Sequence, residues 1–368
     1  MFRIKESQIN FNMAQLKIGY DARMITHSGI GTYIRNTLNH LTSFSNLEFT
    51  LFGNLEKISQ YQTRKVLADF PIYSLKEQIF FPRILSREKK VCDLIHFPHY
   101  NIPLSFTNNV VVTIHDLIHL TFPPSKFAYL YARTMLEAAC RKAKLIITVS
   151  ENTKKDILKW FKIPDKKIRV IYSGAGNEWI QTSKQESSRD YSNLGRSKEY
   201  ILYVGNLKPS KNINTLIQGF SIAQKKIKDL NLILAGKNFM PHLLKSSLHP
   251  QISILGEISL AQLRDLYKNA KLFVFPSSYE GFGFPPLEAM QFGIPVISSC
   301  SSSLPEILGD SALFFNPQDP RELADCICEC WNKEEVRKNL KIKGFENLKR
   351  FSWEKCAAET AKVYSELF

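Results

Sequence analysis

Short runs of consecutive apolar residues alternate with amphipathic segments along nearly the whole chain. Such runs are typical of strands buried on both faces of a parallel sheet, and amphipathic segments are typical of the helices that cover it. The predicted strands lie at 16–20, 47–52, 93–97, 110–115, 144–150, 168–172, 200–205, 230–236, 251–256, 271–277, 294–299 and 312–316. This alternation predicts an α/β fold of two Rossmann-like, doubly wound domains that face each other across a cleft.

The segments between these strands indicate where helices lie and where the domains begin and end. Helical patterns occur at 31–42, 126–143, 151–160, 212–227, 259–269, 286–292, 320–331 and 334–349. Residues 181–198 are polar, rich in serine and without periodicity, so they are a predicted linker or loop between domains at 16–180 and 199–350. Residues 1–15 are expected to form a flexible arm. The last segment, 351–368, is a predicted amphipathic helix with Ser352 at its N-cap.

Length and composition exclude several classes of protein. The 368 residues suit two domains of roughly 150 residues each. A hydrophobic fraction of 44% excludes a disordered or collagenous chain. The uncharged stretch 289–305 is too polar to span a membrane, and the first residues lack the apolar core of a secretion signal. The seven cysteines include no CxxC pair, so reduced thiols and a cytoplasmic location are expected.

Positive charge is concentrated in the first half of the chain. Residues 1–196 carry 28 Lys and Arg against 16 Asp and Glu, and so account for +12 of the net charge of +15. This half is expected to meet an anionic partner: lipid headgroups, a phosphorylated acceptor or nucleic acid. The segment 76–90 mixes aromatic and basic side chains. It is either a core helix with a solvated basic side or a face that docks on an anionic membrane.

The segment 277–297 carries the most informative pattern of charged and small residues. Glu280 and Glu288 are separated by seven residues, among which Gly281 and Gly283 allow a ligand to approach the backbone closely. Pro286 suits the first turn of a helix. A loop that leads into a helix presents free N–H groups and a positive dipole end to an anion. Two ordinary glutamates on an exposed turn and a surface helix are the alternative interpretation.

This segment, Glu280-Gly-Phe-Gly-Phe-Pro-Pro-Leu-Glu288 followed by Gly293-Ile-Pro-Val, resembles the signature of glycosyltransferase family 4. Members of that family are retaining, metal-independent enzymes of the GT-B fold, and the resemblance extends from about residue 16 to the C-terminus. It implies that Glu280 binds hydroxyl groups of the donor sugar and that Glu288 binds the ribose of the nucleotide. Backbone N–H groups of the loop would hold sugar hydroxyls and the diphosphate. The donor-binding residues implied between the two glutamates are Gly281, Phe282, Gly283, Phe284 and Leu287.

A second segment, residues 203–212, has the context of a phosphate-binding turn, because it follows a predicted strand and opens a helix. The resemblance places Gly205 in this turn and Lys211 on the diphosphate of the donor. Relatives often carry an arginine directly after the glycine, where this chain has Asn206, so Lys208 is expected to supply the second cation. Fixed cations stabilise the charge of a departing nucleoside diphosphate. A solvated helix start is the alternative. Ile254 resembles the residue beside the nucleobase.

A third segment delivers His115 and Asp116 to the carboxyl end of the strand predicted at 110–115. A similar His-Asp pair occurs in family members related to mannosyltransferases, which implies that His115 lies beside the donor sugar near the reacting carbon and that Asp116 assists. A structural histidine is the alternative. His119 completes an HxxxH spacing without the glutamate of a zinc protease helix, so we expect no metal and a core or supporting role for His119.

Two further groups of residues complete the expected site. Gly29 and Gly31 resemble the first glycine-rich loop of the family, which closes over the sugar diphosphate; a simple strand-to-helix turn is the alternative. His99 and Tyr100 follow the strand predicted at 93–97 and are expected on the acceptor side. Together with Lys211 and Glu280, His115 and Asp116 are the residues expected to carry catalysis.

These features predict a retaining glycosyltransferase whose second domain binds a sugar nucleotide and whose first domain binds a glycan or lipid-linked acceptor. As in relatives, the last helix is expected to cross back to the first domain. The motifs favour the mannosyltransferase-like branch and GDP-mannose as donor, with no cofactor and a peripheral position on the inner face of the membrane. A sugar-nucleotide epimerase of similar architecture is one alternative. The other is a basic nucleic-acid-binding protein, although the sequence contains no nucleic-acid motif.

Overall fold

The computed structural model describes residues 15–176, 199–240 and 249–368. The predicted linker at 181–198 and all but the last residue of the predicted N-terminal arm lie outside these ranges, so both stay predictions. Within the described part of the chain, the strands form two parallel sheets. We call the parts built around the first and the second sheet the first and the second domain.

The first sheet has the strand order β3-β2-β1-β4-β5-β6-β7, and all neighbouring strands run parallel. Its strands are β1 Leu16–Asp21, β2 Leu47–Gly53, β3 Arg64–Leu67, β4 Leu94–Phe97, β5 Val110–Ile114, β6 Leu145–Thr148 and β7 Ile168–Val170. The strand order reverses between β1 and β4. In open parallel sheets, ligands bind outside the carboxyl ends of the strands at such a reversal.

The second sheet repeats this topology in the order β10-β9-β8-β11-β12-β13. Its strands are β8 Ile201–Val204, β9 Leu232–Ala235, β10 Ile252–Gly256, β11 Leu272–Phe275, β12 Val296–Ser299 and β13 Ala312–Phe315. The order reverses between β8 and β11, where the segments containing Lys211 and Glu280 follow their strands. Two doubly wound parallel sheets are thus confirmed.

All twelve predicted strands are present in the described residues; most have a buried apolar run, while β7 and β10 are largely half-buried. β3 was not predicted. It is an edge strand with the sequence RKVL, whose residues are exposed or half-buried, so it lacks the continuous apolar run that marks the other strands. The edge strands β7, β10 and β13 keep enough apolar residues to be recognised, whereas β3 has only two apolar residues after Arg64 and Lys65 and gives no such signal.

Helices cover the sheets; all nine predicted helices are present in the described residues, and the short helices Ile118–Thr121 and Leu304–Leu308 were not predicted. In the first domain they are α1 Ile30–Leu41, α2 Leu75–Glu88, α3 Ile118–Thr121, α4 Lys126–Lys142 and α5 Glu151–Trp160. The rest are α6 Ile213–Gln224, α7 Leu260–Asn269, α8 Phe284–Gln291, α9 Leu304–Leu308, α10 Pro320–Asn332, α11 Glu334–Leu348 and α12 Trp353–Ser365. Serine hydroxyls accept a first-turn N–H at the starts of α2, α4, α5, α7 and α12. Of the described helices, none has the length and apolarity to span a membrane.

The last helix, α12, packs against the first domain. The Tyr364 hydroxyl lies 2.6 Å from Nδ1 of His96 on β4, and both residues are buried. The Trp353 ring lies 6.2 Å from the ring of Tyr33 on α1. A side chain at Gly174 would collide with Trp353, because its Cβ would lie 2.4 Å from that residue. These contacts place α12 on the first domain, although the chain that precedes it belongs to the second domain.

Candidate active site

The two domains meet where the loop after β5 faces the loop after β11. A Cβ atom on Gly281 would lie only 2.0 Å from the carbonyl oxygen of His115 and 3.0 Å from Cβ of Asp116. Only glycine allows this approach of the two backbones. The structure therefore brings together His115 and Asp116 from the first domain with Glu280 and Gly281 from the second.

Glu280 forms an ion pair with Lys211, which lies in the short turn Pro209–Lys211 after β8. Both side chains are partly shielded from water, with 13% of Glu280 and 18% of Lys211 exposed. The loop around Glu280 is held by Ser302 and Ser303, whose hydroxyls donate to its carbonyl oxygen at 2.6 and 2.9 Å. A fixed carboxylate and a fixed ammonium are thus placed side by side at the strand reversal of the second sheet.

Glu288 lies on α8, whose first turn is unusual. The helix starts at Phe284 after Gly283, which has a left-handed φ of 103°. The next two residues, both prolines, carry no N–H, and the N–H of the buried Leu287 falls within the hydrogen-bonded helix. Gly283 and Phe284 are therefore the first-turn donors available to a ligand.

The carboxylate of Glu288 accepts a hydrogen bond of 2.9 Å from the hydroxyl of Tyr267 on α7. Burial raises the pKa of Tyr267 well above its usual value, and the charge of Glu288 raises it further. The tyrosine is therefore a permanent donor that orients this carboxylate.

Backbone packing shapes the floor of the second domain at the ends of β8, β9 and β10. Gly205 and Gly236 both have positive φ, and a Cβ on Gly236 would lie 2.2 Å from the Gly205 carbonyl oxygen. Asn206 and Lys208 follow this close contact. The ammonium of Lys208 lies 4.9 Å from the centre of the Phe239 ring, and its charge helps to lower the pKa of His119 in the first domain. Ile254 lies within β10 and packs partly buried against the core.

His115 is held as a neutral imidazole. Its Nε2 lies 2.9 Å from the carbonyl oxygen of Pro98, which can only accept, so Nε2 carries the proton. Burial lowers the pKa of His115, although the Pro98 carbonyl and Asp116 oppose this shift. The other nitrogen, Nδ1, is then an acceptor that can take a hydrogen bond from a hydroxyl group. Asp116 uses Oδ1 to accept the Ile118 N–H at 2.9 Å.

The first glycine-rich loop leads from β1 into α1. Gly29 has a φ of 71° and an open space where a Cβ would lie, whereas a Cβ on Gly31 would be 2.5 Å from the Ile25 carbonyl oxygen. Glycine is thus favoured at position 29 by the left-handed backbone conformation, and at position 31 by the lack of space for a Cβ atom. No side chain caps the start of α1.

His99 and Tyr100 are buried and so offer little surface to an acceptor. Nδ1 of His99 accepts the Asn101 N–H, and the Tyr100 hydroxyl lies 2.8 Å from Nδ1 of His119. The exposed member of this aromatic group is Tyr73, which is 44% exposed, has a positive φ of 66° and places its hydroxyl 3.2 Å from Nε2 of His99. Burial lowers the pKa of both His99 and His119.

Tyr73 and a buried ion network beside it were not predicted from the sequence. Arg23 pairs with Asp21 at 2.7 Å and with Glu77 at 2.7 Å, and its guanidinium lies 3.8 Å from the centre of the Phe81 ring. The signal available in the sequence was the pair of charged residues Asp21 and Arg23 at the carboxyl end of the buried strand β1. Its partner Glu77 lies 54 positions away, and no local pattern connects them.

Sequence comparisons with known proteins identify the family of this chain. A family model described as Glycosyltransferase Family 4 matches residues 27–176, and one described as Glycosyl transferases group 1 matches residues 184–347. The O-antigen chain mannosyltransferase B of Escherichia coli is 31% identical over 284 residues, or 74% of each chain. The chain belongs to glycosyltransferase family 4. This glycosyltransferase is also 31% identical to the O-antigen chain mannosyltransferase RfbU of Salmonella typhimurium over 64% of each chain.

Solved structures confirm the fold expected of such a glycosyltransferase. The sucrose-phosphate synthase of Thermosynechococcus elongatus superposes with a TM-score of 0.75 at 20% identity, over 96% of this chain and 99% of the synthase. HepE of Anabaena, solved in complex with UDP and glucose, gives a TM-score of 0.75 at 18% identity, over 95% of this chain and all of HepE. The family and the GT-B architecture inferred from the motifs are therefore confirmed.

No group of three or more His, Cys, Asp or Glu side chains in the described ranges is arranged to hold a metal ion. In particular, Nδ1 of His119 lies 2.8 Å from the Tyr100 hydroxyl. The ionisable groups that the loops of this site and α8 carry include the Lys211 ammonium, the carboxylates of Glu280 and Glu288, and the imidazole of His115.

Proposed function

We propose that this glycosyltransferase transfers mannose from GDP-mannose to a glycan or lipid-linked acceptor, with retention of configuration and without a metal ion. The observation that carries the proposal is the Lys211–Glu280 pair, set at the strand reversal of the second sheet beside the backbone of His115. The names of the similar Escherichia coli and Salmonella proteins support mannose as the sugar.

In this proposal the second domain binds the donor. Glu280 would accept hydrogen bonds from sugar hydroxyls, and Glu288, oriented by Tyr267, would accept them from the ribose. Lys211 would contact the diphosphate, together with the N–H groups of Gly283 and Phe284. These groups are fixed before the reaction, so they can stabilise the charge that grows on the nucleoside diphosphate as the glycosidic bond breaks.

The first domain would supply the acceptor and His115. The bond between the anomeric carbon and the phosphate oxygen breaks, and the acceptor hydroxyl oxygen forms the new bond on the same face of the sugar. The departing phosphate takes the proton of that hydroxyl, so the products are the glycoside and the nucleoside diphosphate. The neutral imidazole of His115, with Nδ1 as acceptor, suits a hydrogen bond to a sugar hydroxyl near the reacting carbon.

A lipid-linked acceptor requires the enzyme to reach a membrane surface. Two helices of the first domain expose large apolar side chains, among them Leu75, Ile79 and Phe80 of α2 and Phe127 and Leu130 of α4. Basic side chains lie on the same helices, including Arg83, whose guanidinium lies 5.6 Å from the centre of the Phe80 ring. An apolar face with basic neighbours supports peripheral binding to an anionic membrane on its cytoplasmic side.

The first test is a thermal-shift panel of GDP-, UDP- and ADP-sugars with the corresponding nucleoside diphosphates, in the presence of a metal chelator. A ligand that binds only the folded state raises the melting temperature. We expect GDP and GDP-mannose to raise it and the other bases to have little effect. A shift with another base alone would contradict GDP-mannose, and a shift that requires a divalent metal would contradict metal independence.

Transfer is then measured with radiolabelled GDP-mannose and membrane extracts or synthetic glycan acceptors, and the product anomer is assigned by NMR. An α-linked product from the α-configured donor indicates retention, whereas a β-linked product would contradict it. Free isomerised sugar nucleotide formed without an acceptor would favour an epimerase. Salt-sensitive binding to oligonucleotides, without any response to sugar nucleotides, would favour the nucleic-acid-binding alternative.

A further inference from the structure

The N-terminal turn of α5 contacts the backbone of both loops that form the proposed site. The Thr153 hydroxyl donates to the His115 carbonyl oxygen at 3.0 Å, and the Ser150 hydroxyl donates to the Gly281 carbonyl oxygen at 2.7 Å. Both side chains are buried, and their oxygens lie 3.0 Å apart. Carbonyl oxygens can only accept, so each hydroxyl proton is committed to one loop.

The second domain completes the hydrogen bonds of the same helix turn. The Ser150 hydroxyl accepts the N–H of Thr153, which leaves the N–H groups of Glu151 and Asn152 without a partner inside the helix. The carboxylate of Glu306, on α9, accepts these two N–H groups at 2.7 and 3.0 Å. A carboxylate is favoured there because the N-terminus of a helix is the positive end of its dipole. The second domain therefore supplies the protein acceptors for these two N–H groups.

A third connection joins this turn to the loop that carries Glu280. The amide of Asn152 donates to the Ser302 hydroxyl at 3.2 Å, and that hydroxyl donates to the Glu280 carbonyl oxygen at 2.6 Å. Hydrogen bonds from one helix turn thus reach the backbone of His115, Gly281 and, through Ser302, Glu280.

We propose that Ser150 and Thr153 are positioning residues that set the distance between the His115 imidazole and the Glu280 carboxylate, with Glu306 anchoring their helix to the second domain. This inference rests on the proposed roles of His115 and Glu280 in transfer. The two hydroxyls touch neither donor nor acceptor, and they act by fixing two backbone segments that come from different domains. Their contribution is therefore to the geometry of the bound complex and not to the affinity for the nucleotide.

The test compares Thr153→Val, which keeps the shape of the side chain but removes the hydroxyl, with Thr153→Ser, which keeps the hydroxyl. A misplacement of about 1 Å at a reacting centre can lower a rate by about 100-fold, so we expect Thr153→Val to lower kcat by roughly 10- to 100-fold. The KM for the donor and the affinity for the nucleoside diphosphate should change little, and Thr153→Ser should retain most of kcat. Thr50→Val is the matched control, because Thr50 is a buried threonine on β2, outside the site.

A normal kcat for Thr153→Val, or an equal loss in Thr153→Ser, would overturn the proposal. If Thr153→Val fails to fold, Glu306→Gln provides the second variant, because its amide oxygen replaces only one of the two acceptors. We expect Glu306→Gln to lower kcat and to speed amide hydrogen exchange at Glu151 and Asn152. Unchanged exchange and unchanged kcat would refute the inference.

If the proposed function is wrong, the experiments give a different pattern of results. Wild-type protein would then transfer no sugar from any donor, whereas hydrogen exchange would still report on the connection between the loops. In Thr153→Val, faster exchange in both 114–118 and 279–283 would support the connection, and exchange confined to one loop would contradict it.

Discussion

Replacing Lys211 with methionine tests the central pair of the proposed site. The methionine keeps an unbranched side chain but leaves the Glu280 carboxylate without its ammonium. The Lys211 side chain is 18% exposed and that of Glu280 is 13% exposed, so the pair is intermediate between exposed and fully buried ion pairs. Exposed pairs contribute about 0.2–1 kcal/mol, and breaking a fully buried pair costs about 3–5 kcal/mol. We therefore expect Lys211→Met to lower the free energy of unfolding by about 1–2 kcal/mol.

A second change separates stability from catalysis. The double variant Lys211→Met with Glu280→Gln removes both charges, so no unpaired charge remains and much of the lost stability should be recovered. Activity should not recover, because the diphosphate still lacks its fixed cation. Loss of one fixed group that stabilises developing charge lowers kcat by about 100- to 1,000-fold.

Urea unfolding gives the stability of each variant, and initial rates with the donor identified in the thermal-shift panel give the activity. The control is Lys226→Met, which breaks the largely exposed pair with Asp325 and should change neither quantity. The reasoning is refuted if Lys211→Met turns over at a rate near that of the wild type. It is also refuted if the double variant is no more stable than the single one.

Gly281, His96 and Phe80 offer three further tests. Gly281→Ala places a Cβ 2.0 Å from the His115 carbonyl oxygen, so the loops must separate and kcat should fall by about 100-fold or more; wild-type kinetics would contradict this. Burial lowers the pKa of His96 to about 3. The neutral imidazole therefore contributes its full stabilisation above the unfolded-state pKa of about 6.5, and this stabilisation is lost as the pH falls from 6.5 towards 3. Urea unfolding should show a loss of about 2 kcal/mol from this group at pH 5, and His96→Gln should flatten the pH dependence, whereas equal slopes would refute the assignment. Phe80→Asp should reduce flotation with vesicles containing phosphatidylglycerol, whereas Ile342→Asp, at an exposed site of the second domain, should not; equal flotation of the two would remove the membrane face.

Much of the fold could be predicted because its determinants are local in the chain. Strands such as β5, with five buried residues of which four are apolar, differ sharply from the polar segments around them. Helices such as α5 and α12 begin at serines whose hydroxyls cap the first turn. Helix α2 was harder to recognise, since Pro82 lies within it and large apolar side chains occupy both its buried and its exposed sides.

The candidate site was predictable only in part. Glu280, Gly281, Gly283 and Glu288 lie within nine consecutive residues, so their spacing alone indicated a ligand-binding loop and helix. His99 shows the limit of that approach. It follows a predicted strand and was expected on the acceptor side, but the chain buries it next to Tyr73, which occupies the exposed position.

By itself, the sequence determined the alternation of strands and helices, the two parallel sheets, and the family signature between Glu280 and Glu288. Only the tertiary structure decided that Lys211 pairs with Glu280, that Gly281 touches His115, and that Ser150 and Thr153 bond to the loops that carry Gly281 and His115. The physical reason is distance along the chain. Apolar patterns and helix caps involve neighbours within a few residues, whereas these contacts join residues that are tens to more than a hundred positions apart and depend on how the two sheets are oriented.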